Sequence, residues 1–413
     1  MPAAHAGLRS VDAHLQRVLD AVTPLPPYDQ PLLEALGLPI CEDVIAPIDL
    51  PTFDNSAMDG YAVRCCDVAD ATEDHPVRLP VLGEIAAGQS KVYALSPGTA
   101  LKIMTGAPLP PGADAVVPVE WTNRGVADVL IDRAPVTGLY VRPRAEDVRA
   151  GDLVLDQGVL LGPREVGLLA ALGRASVRSR PRPRVVVMST GSELRDPGTA
   201  LASDSVYDAN SFALAAAARA AGAIAYRVGV VSDDPQEFAD ALSDQLVRAD
   251  LVVTSGGVSK GEYDVVKEVL GKLGTVDFCE VAMQPGKPQG FGTVGEDDIP
   301  IFTLPGNPVS AYVSFETFVV PAVRRMMGKL PYRRPLVRAV CRDEIRSAPG
   351  KRQFVRGVFA VEPRGAQVRV VGGHGSHLIG ELARANALIV VPEDIPLVEP
   401  GSTVDVLVVD RDF

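Results

Sequence analysis

The residues that could do chemistry in this chain are carboxylates set beside glycine turns. The segment from Asp250 to Leu270 reads DLVVTSGGVSKGEYDVVKEVL. Leu251, Val252 and Val253 make a short apolar, β-branched run of the kind that forms a buried strand. Thr254, Ser255, Gly256 and Gly257 follow at once. Paired glycines let the backbone turn its N–H groups to one side, and small hydroxyl residues leave room for a ligand. The spacing from Tyr263 to Leu270 predicts a helix. A strand, a glycine turn and a helix is the arrangement at which open α/β sheets bind anions. Asp264 falls in the first helical turn, with Glu262 just before it. A carboxylate beside a phosphate site needs a cation between them, often magnesium. On this stretch alone, a plain turn with Asp264 as a helix cap is an equal reading, and Lys260 adds either a binding charge or a solvated one.

The same rhythm recurs on both sides. Val185 to Leu194 (VVVMSTGSEL) is strand, turn and carboxylate, ending at Glu193. Asn210 and Ser211 precede an alanine-rich helix over 212–221, and 223–231 is predicted as a strand. Ser232-Asp233-Asp234-Pro235 caps a helix running to about Arg248. Strands are predicted at 275–281 and 301–304. The first leads into MQPGKPQGFG, with Lys287; the second leads into PGNPVSAYV, where Pro305 and Gly306 precede Asn307 as N-cap and Pro308 as first helical residue, with Ser310 in the first turn. Loops at 189–193, 254–257, 284–290 and 305–310 thus close successive strands, and a doubly wound sheet gathers such loops along one edge. Together they predict a phosphate- or anhydride-binding site.

These loops need elements to hold them. Ser10 is read as the cap of a first helix with an apolar stripe at Leu15, Val18, Leu19 and Val22, and a second short helix is predicted over 31–36, ending at Gly37. Leu50 to Val63 (LPTFDNSAMDGYAV) is dense in turn formers and carries Asp54 and Asp59; Asp59-Gly60 also suits a simple hairpin turn. Short strand-like runs to Pro143 predict a small β-rich module, whose stiff loop IMTGAPLPPGAD carries Thr105. Val141 to Asp152 mixes arginines with Glu146 and Asp147, and composition alone reads it as a solvated turn. Pro163 starts a helix closed by Gly173. Residues 174–184 are basic, unpatterned and proline-containing, as a domain boundary is. After 329–331, five strand-like runs predict a small β-barrel; GGHGSHLIGELARANALIV is its one distinctive segment.

Composition sets outer limits. The chain has 413 residues, 47% hydrophobic and 22% charged, which is ordinary globular composition with ample core material, and its length predicts roughly two to four domains. No apolar run is long enough to cross a bilayer, and the N-terminal residues lack a secretory pattern, so a cytoplasmic protein with no membrane partner is expected. Five cysteines without a C-x-x-C pair and five scattered histidines predict neither a disulfide framework nor a zinc site. A net charge of −12 argues against nucleic acid as a partner, while leaving room for a small anion held by local groups.

The blocks FDNSAMDGYAV, IMTGAPLPPGADAVV, STGSEL, TSGGVSKGEYD, PGKP and LPGNPVSA, in that order, resemble those of the molybdopterin molybdenumtransferases, relatives of the E domain of gephyrin; GSHLIGELARAN resembles the family's C-terminal block. The resemblance covers nearly the whole chain. Ser192, Ala145 and Gln284 depart from the usual family residues at their positions. The resemblance implies a multidomain α/β plus β subunit of elongated shape. Its parts are a helical and linking N-terminal domain (1–50 with 144–178), a β-rich inserted domain (51–143), a central doubly wound α/β domain of molybdopterin-binding type (179–329) and a C-terminal β-barrel domain (330–413). It implies a homodimeric transferase that inserts molybdate into the dithiolene of adenylated molybdopterin and releases AMP, with Mg2+. Asp59, Thr105, Asp147, Glu193 and Asp264 take catalytic positions by this resemblance. Asp264, Glu193 and Asp233 are the metal set. Ser255, Gly256, Gly257, Lys287, Pro305, Gly306, Asn307, Ser310 and Ser376 are the ligand-binding set, and Lys287, Arg352 or Ser376 could meet molybdate. A pterin adenylyltransferase and molybdoenzyme chaperones are the implied protein partners. Two rivals share features: the adenylyltransferase itself, a small single domain with a similar strand and turn, and a non-enzymatic scaffold, as in gephyrin.

Overall fold

A computed structural model describes residues 7–88, 94–256, 265–273 and 275–413. Two compact units are present, one of residues 1–28 with 179–413 and one of 29–178.

In the first unit a six-stranded sheet runs in the order Ile224–Arg227, Arg184–Ser189, Leu251–Ser255, Ile299–Leu304, Pro288–Val294, Asp277–Glu280. The first four strands are parallel, and Pro288–Val294 pairs antiparallel with both its neighbours, Ile299–Leu304 and Asp277–Glu280. The central strands read as continuous Val and Ile because helices cover both faces. Val186, Met188, Val252 and Ile301 pack with Phe238 and Leu242 of helix Pro235–Leu246 and with Val266, Val269 and Leu270 of helix Val265–Leu273. Helices Asn210–Ala220 and Pro308–Ser314 pack together against the strands from the other side. Taken in chain order the parallel strands stand 2-1-3-4. The direction of winding therefore reverses between Arg184–Ser189 and Leu251–Ser255, and the crevice outside their carboxyl ends is where such sheets bind ligands.

The first helix is Val11–Ala21, and Ser10 accepts from the Ala13 amide as its N-cap. Asp234 caps Pro235–Leu246 by accepting from the Gln236 and Glu237 amides. The carboxyl-terminal strands close as expected. Arg352–Glu362, Gly365–Val370, Leu336–Cys341, Thr403–Val408 and Ala387–Val391 form a ring, because the last pairs back with the first. Alternate residues such as Val368, Ile389, Val391, Val404 and Val406 fill its interior. Met283–Gln284 adds to the edge of the first of these strands.

The second unit holds a five-stranded sheet in the order Ala115–Pro118, Gly60–Val63, Ala100–Ile103, Val77–Ile85, Asp128–Ile131. Helix Pro163–Ala171 follows a capping box in which the Gly162 amide donates to Glu165. The short helix expected over 31–36 is absent: Tyr28–Pro31 is a strand and turns follow. Only one helical turn forms there, with the Ala35 amide on the Pro31 carbonyl at 3.0 Å. A run that short, entered through a proline, repays too little of the cost of nucleating a helix. The expected loop over 284–290 is also shorter, since Pro288 already begins a strand.

Candidate functional site

A cleft of about 1250 Å³ opens at the reversal point of the sheet. Its floor is made by the ends of three parallel strands and the turns that follow them: Ser189, Thr190 and Gly191; Ser255 and Gly256; Gly306, Asn307 and Pro308. Glu193 and Asp233 stand exposed in its wall, with Leu194, Val206 and Tyr207 beside them. His377 and Ile379 reach it from the barrel loop.

The turns are tied to one another through the backbone. The Thr190 amide donates to the Ser255 carbonyl at 3.3 Å, and the Gly256 amide donates to the Leu304 carbonyl at 3.1 Å. Gly256 has φ +97°, and a Cβ there would meet the Thr190 carbonyl oxygen at 3.0 Å. Only glycine lets these two turns approach so closely. Ser255 is buried, and its hydroxyl points to the Pro305 carbonyl at 3.4 Å. Asn307 stands at the N-cap before Pro308, with no hydrogen bond from its side chain to the helix amides.

Most of the expected binding residues meet here. Ser255, Gly256, Gly306, Asn307, Glu193 and Asp233 all line the cleft. Pro305 and Ser310 are buried just behind it. Ser376 joins the rim by backbone: its carbonyl accepts from the Val309 amide at 3.0 Å. Gly257 and Asp264 lie outside the described residues. Lys287 stands apart from the cleft lining, with its ammonium 2.8 Å from Glu280. Arg352 is likewise engaged, by Asp12 at 2.8 Å and Glu393 at 3.1 Å.

Asp59 and Thr105 come together in the 29–178 unit. Oδ1 of Asp59 accepts from the Thr105 amide at 2.7 Å and from its hydroxyl at 2.8 Å. Those two donors hold the Asp59 carboxyl below the usual aspartate range. Asp147 is exposed in the same unit, with its amide on the Leu50 carbonyl at 3.0 Å.

As a cation site the cleft offers Glu193 and Asp233, exposed hard oxygen donors in its wall, which suit a magnesium ion shared with a phosphate; Asp208 and Glu268 also line it, Asp208 being buried and engaged and Glu268 held by Lys272 at 2.8 Å. Among the described residues no three acidic, histidine or cysteine side chains converge as a preformed metal cage. Two carboxylates at a phosphate-binding edge fit that ion, which completes its shell with water and phosphate oxygens.

Sequence reasoning missed Arg356. Its guanidinium is only 4% exposed, and it donates to the Gly375 carbonyl at 2.9 Å, to the Gly373 carbonyl and to Glu381 at 3.3 Å. It therefore holds the loop that carries Ser376 and His377. Its Nε has no partner, and the residue lines a small hollow with Gln284, Pro285, Val309, Gly373 and His374. An arginine within the apolar strand QFVRGVFAV was the available signal.

An open, mainly parallel sheet with glycine-cornered turns and carboxylates at its reversal point is the architecture at which α/β proteins bind phosphate-bearing ligands. Comparison with known proteins narrows this. Residues 9–173 match the MoeA N-terminal region (domain I and II), 186–325 a probable molybdopterin binding domain, and 338–409 the MoeA C-terminal region (domain IV). Molybdopterin molybdenumtransferase 2 of Mycobacterium tuberculosis is 46% identical over 405 residues, covering 97% of this chain and 99% of the relative. The molybdopterin molybdenumtransferase of Haemophilus influenzae is 37% identical over 378 residues, covering 91% and 92%. The crystal structure of a molybdopterin biosynthesis MoeA protein from Pyrococcus horikosii superposes with a TM-score of 0.81 at 32% identity, covering 98% of this chain and 100% of that one. The chain belongs to the MoeA family of molybdopterin molybdenumtransferases.

Proposed function

We propose that this protein is a transferase that inserts molybdate into the dithiolene of adenylated molybdopterin and releases AMP. The observation that carries the reading is the cleft at the sheet's reversal point, where three glycine- or serine-cornered turns face one space with the exposed carboxylates of Glu193 and Asp233 in its wall. Backbone N–H groups of Gly191, Gly306 and Asn307 bind phosphate oxygens without a counter-charge of their own. The neighbouring apolar wall, Leu194, Val206 and Tyr207, suits the ring systems of a pterin or an adenine.

Glu193 and Asp233, with Asp264, would hold Mg2+, which when bound neutralises charge on the phosphoanhydride. The residues of the chain then orient the phosphate for in-line displacement and exclude water from it. Ser376, with Lys287 or Arg352, is the proposed seat for molybdate, because an oxyanion needs a cation or hydrogen-bond donors, and Arg356 holds the loop that carries Ser376. Asp59, Thr105 and Asp147 are assigned catalytic positions by the resemblance of their blocks. The domain division 1–50 with 144–178, 51–143, 179–329 and 330–413 is supported by the separate sheets at 60–131, 184–304 and 336–408.

Two rival readings fare worse. An adenylyltransferase of one small domain has no use for the segments before and after the α/β unit, which here match their own family models. A scaffold has no need of paired carboxylates at a nucleotide cleft. We assign the protein a cytoplasmic, homodimeric state, supplied by an adenylyltransferase and drained by molybdoenzyme chaperones. Sedimentation at twice the 43.6 kDa chain mass tests the dimer.

The deciding experiment incubates the protein with adenylated molybdopterin, Mg2+ and molybdate and follows AMP, omitting each in turn. AMP release that needs all three supports insertion; release without molybdate contradicts it. Asp264→Ala is expected to fold and to lose this activity.

A further inference from the structure

One short segment, Asp208-Ala209-Asn210, touches the carboxyl ends of three neighbouring parallel strands. Oδ1 of Asp208 accepts from the hydroxyl of Ser189, the last residue of Arg184–Ser189, at 3.0 Å. Asp208 is 1% exposed. A carboxylate buried that deeply must be fully engaged, and it is. The Ser211 amide donates to it at 3.0 Å, the Ser211 hydroxyl donates to its other oxygen, and the Arg227 guanidinium lies 3.8 Å away.

Two residues on, Nδ2 of Asn210 donates to Oγ of Ser255 at 2.8 Å and to the carbonyl of Gly306 at 2.6 Å. Ser255 ends the strand Leu251–Ser255, and Gly306 follows the strand Ile299–Leu304. A side-chain amide nitrogen carries two protons, so both are used, and neither aspartate nor serine could make the pair. An asparagine at a helix start ordinarily serves its own helix by capping. This one does not: its partners lie 45 and 96 residues away, and the first-turn amide of Ser211 is served by Asp208 instead.

We propose that Asp208 and Asn210 are positioning residues that set the spacing of the 189–191, 255–256 and 305–307 turns, so that the backbone N–H groups of Gly191, Gly306 and Asn307 converge on a single nucleotide phosphate. The identity of that phosphate rests on the function proposed above; the spacing role does not. Neither side chain needs to touch the ligand. Their effect passes through the Thr190-to-Ser255 and Gly256-to-Leu304 backbone bonds, which cross between the same strand ends.

Two readouts separate the claims. Hydrogen exchange of the Thr190 and Gly256 amides reports the spacing directly, without ligand. In Asn210→Ala these amides are expected to exchange about tenfold faster or more, the equivalent of one lost hydrogen bond, while distant core amides keep their protection. AMP affinity measured with Mg2+ should fall about tenfold in the same variant, with the melting temperature little changed. Asp208→Asn should loosen Thr190 more than Gly256, because its link is to Ser189. Should Asn210→Ala fail to fold, Ser255→Ala removes one of the two links and is expected to speed exchange at Gly256 about threefold. Wild-type exchange at both amides in the folded variant would overturn the proposal, as would undiminished AMP affinity. Failure of the unmutated protein to bind AMP would instead overturn the functional reading, and exchange would still decide the spacing role.

Discussion

The Ser192 amide donates to Oδ2 of Asp233 at 2.8 Å. The turn after the first parallel strand and the residue before the Asp234 helix cap therefore meet on one carboxylate. Asp233 spends an oxygen on holding that turn, while its neighbour across the turn, Glu193, stands exposed in the same cleft wall. The two acids should consequently fail differently when removed. Glu193→Gln is expected to leave the fold intact and weaken Mg2+ binding. Asp233→Ala is expected to weaken it by roughly 10–100-fold and also to loosen the 190–193 turn, because both a ligand and its orienting bond are lost. Mg2+ titrations of AMP release, paired with melting curves, check this. Equal Mg2+ dependence in wild type and both variants would remove these residues from the metal site.

Gly256→Ala tests the close approach of two turns. The new Cβ would stand 3.0 Å from the Thr190 carbonyl at a φ of +97° that side chains avoid. Strain of this kind costs about 1–3 kcal/mol. Because the strain falls on the Gly256 and Thr190 turns, nucleotide affinity should drop in step with urea stability. A variant with unaltered stability and AMP affinity would show that the turns have slack.

Much of this was legible from sequence for a physical reason. Strands buried on both faces write themselves as runs such as VVVMS and LVVTS, and the turns after them must be small where backbones meet. The order of those runs gave the α/β unit, and the alternation in the last strands gave the barrel. What escaped was long-range or marginal. Pro31 to Leu36 has helical composition, but tertiary pairing takes Tyr28–Pro31 into a strand. Asn210 looks like a capping residue until its partners at Ser255 and Gly306 are in view. Lys287 looks like a free cation, and only the folded edge strand brings Glu280 to it.

His14 gives a prediction about pH. Its ring is 1% exposed and packs edge-on against Phe318 at 4.7 Å. Burial, reinforced by Arg9 and Arg17 and opposed by Asp277, lowers its pKa from 6.5 to about 4. The folded state therefore holds the neutral ring, with Arg9 and Cys279 as polar neighbours at 3.4 and 3.7 Å. As pH falls below 6.5 the unfolded chain takes up a proton that the folded chain refuses until about 4, so stability falls across that window. The loss attributable to this residue is on the order of 3 kcal/mol at the acid end. His14→Gln should flatten the urea-stability profile between pH 4 and 6.5 relative to wild type. An unchanged slope in that window would assign the acid sensitivity to other groups.

Arg356 allows charge and geometry to be separated. Its two terminal nitrogens bridge the Gly373 and Gly375 carbonyls, and Glu381 closes the loop from the other side. A lysine at this position keeps the charge but cannot span both carbonyls from one planar group. Arg356→Lys is therefore expected to fold, with the 373–381 loop less well held and about 1.5–3 kcal/mol of charge-assisted bonding lost. If the guanidinium also serves the oxyanion, the molybdate concentration for half-maximal AMP release should rise about tenfold or more, while Mg2+ dependence stays as in wild type. Arg356→Met removes the charge altogether and leaves the two carbonyls unpaired in a buried setting, so it should lose both loop order and molybdate response. Molybdate and Mg2+ titrations on the same preparations distinguish the cases. A lysine variant with wild-type molybdate dependence would confine Arg356 to holding the loop.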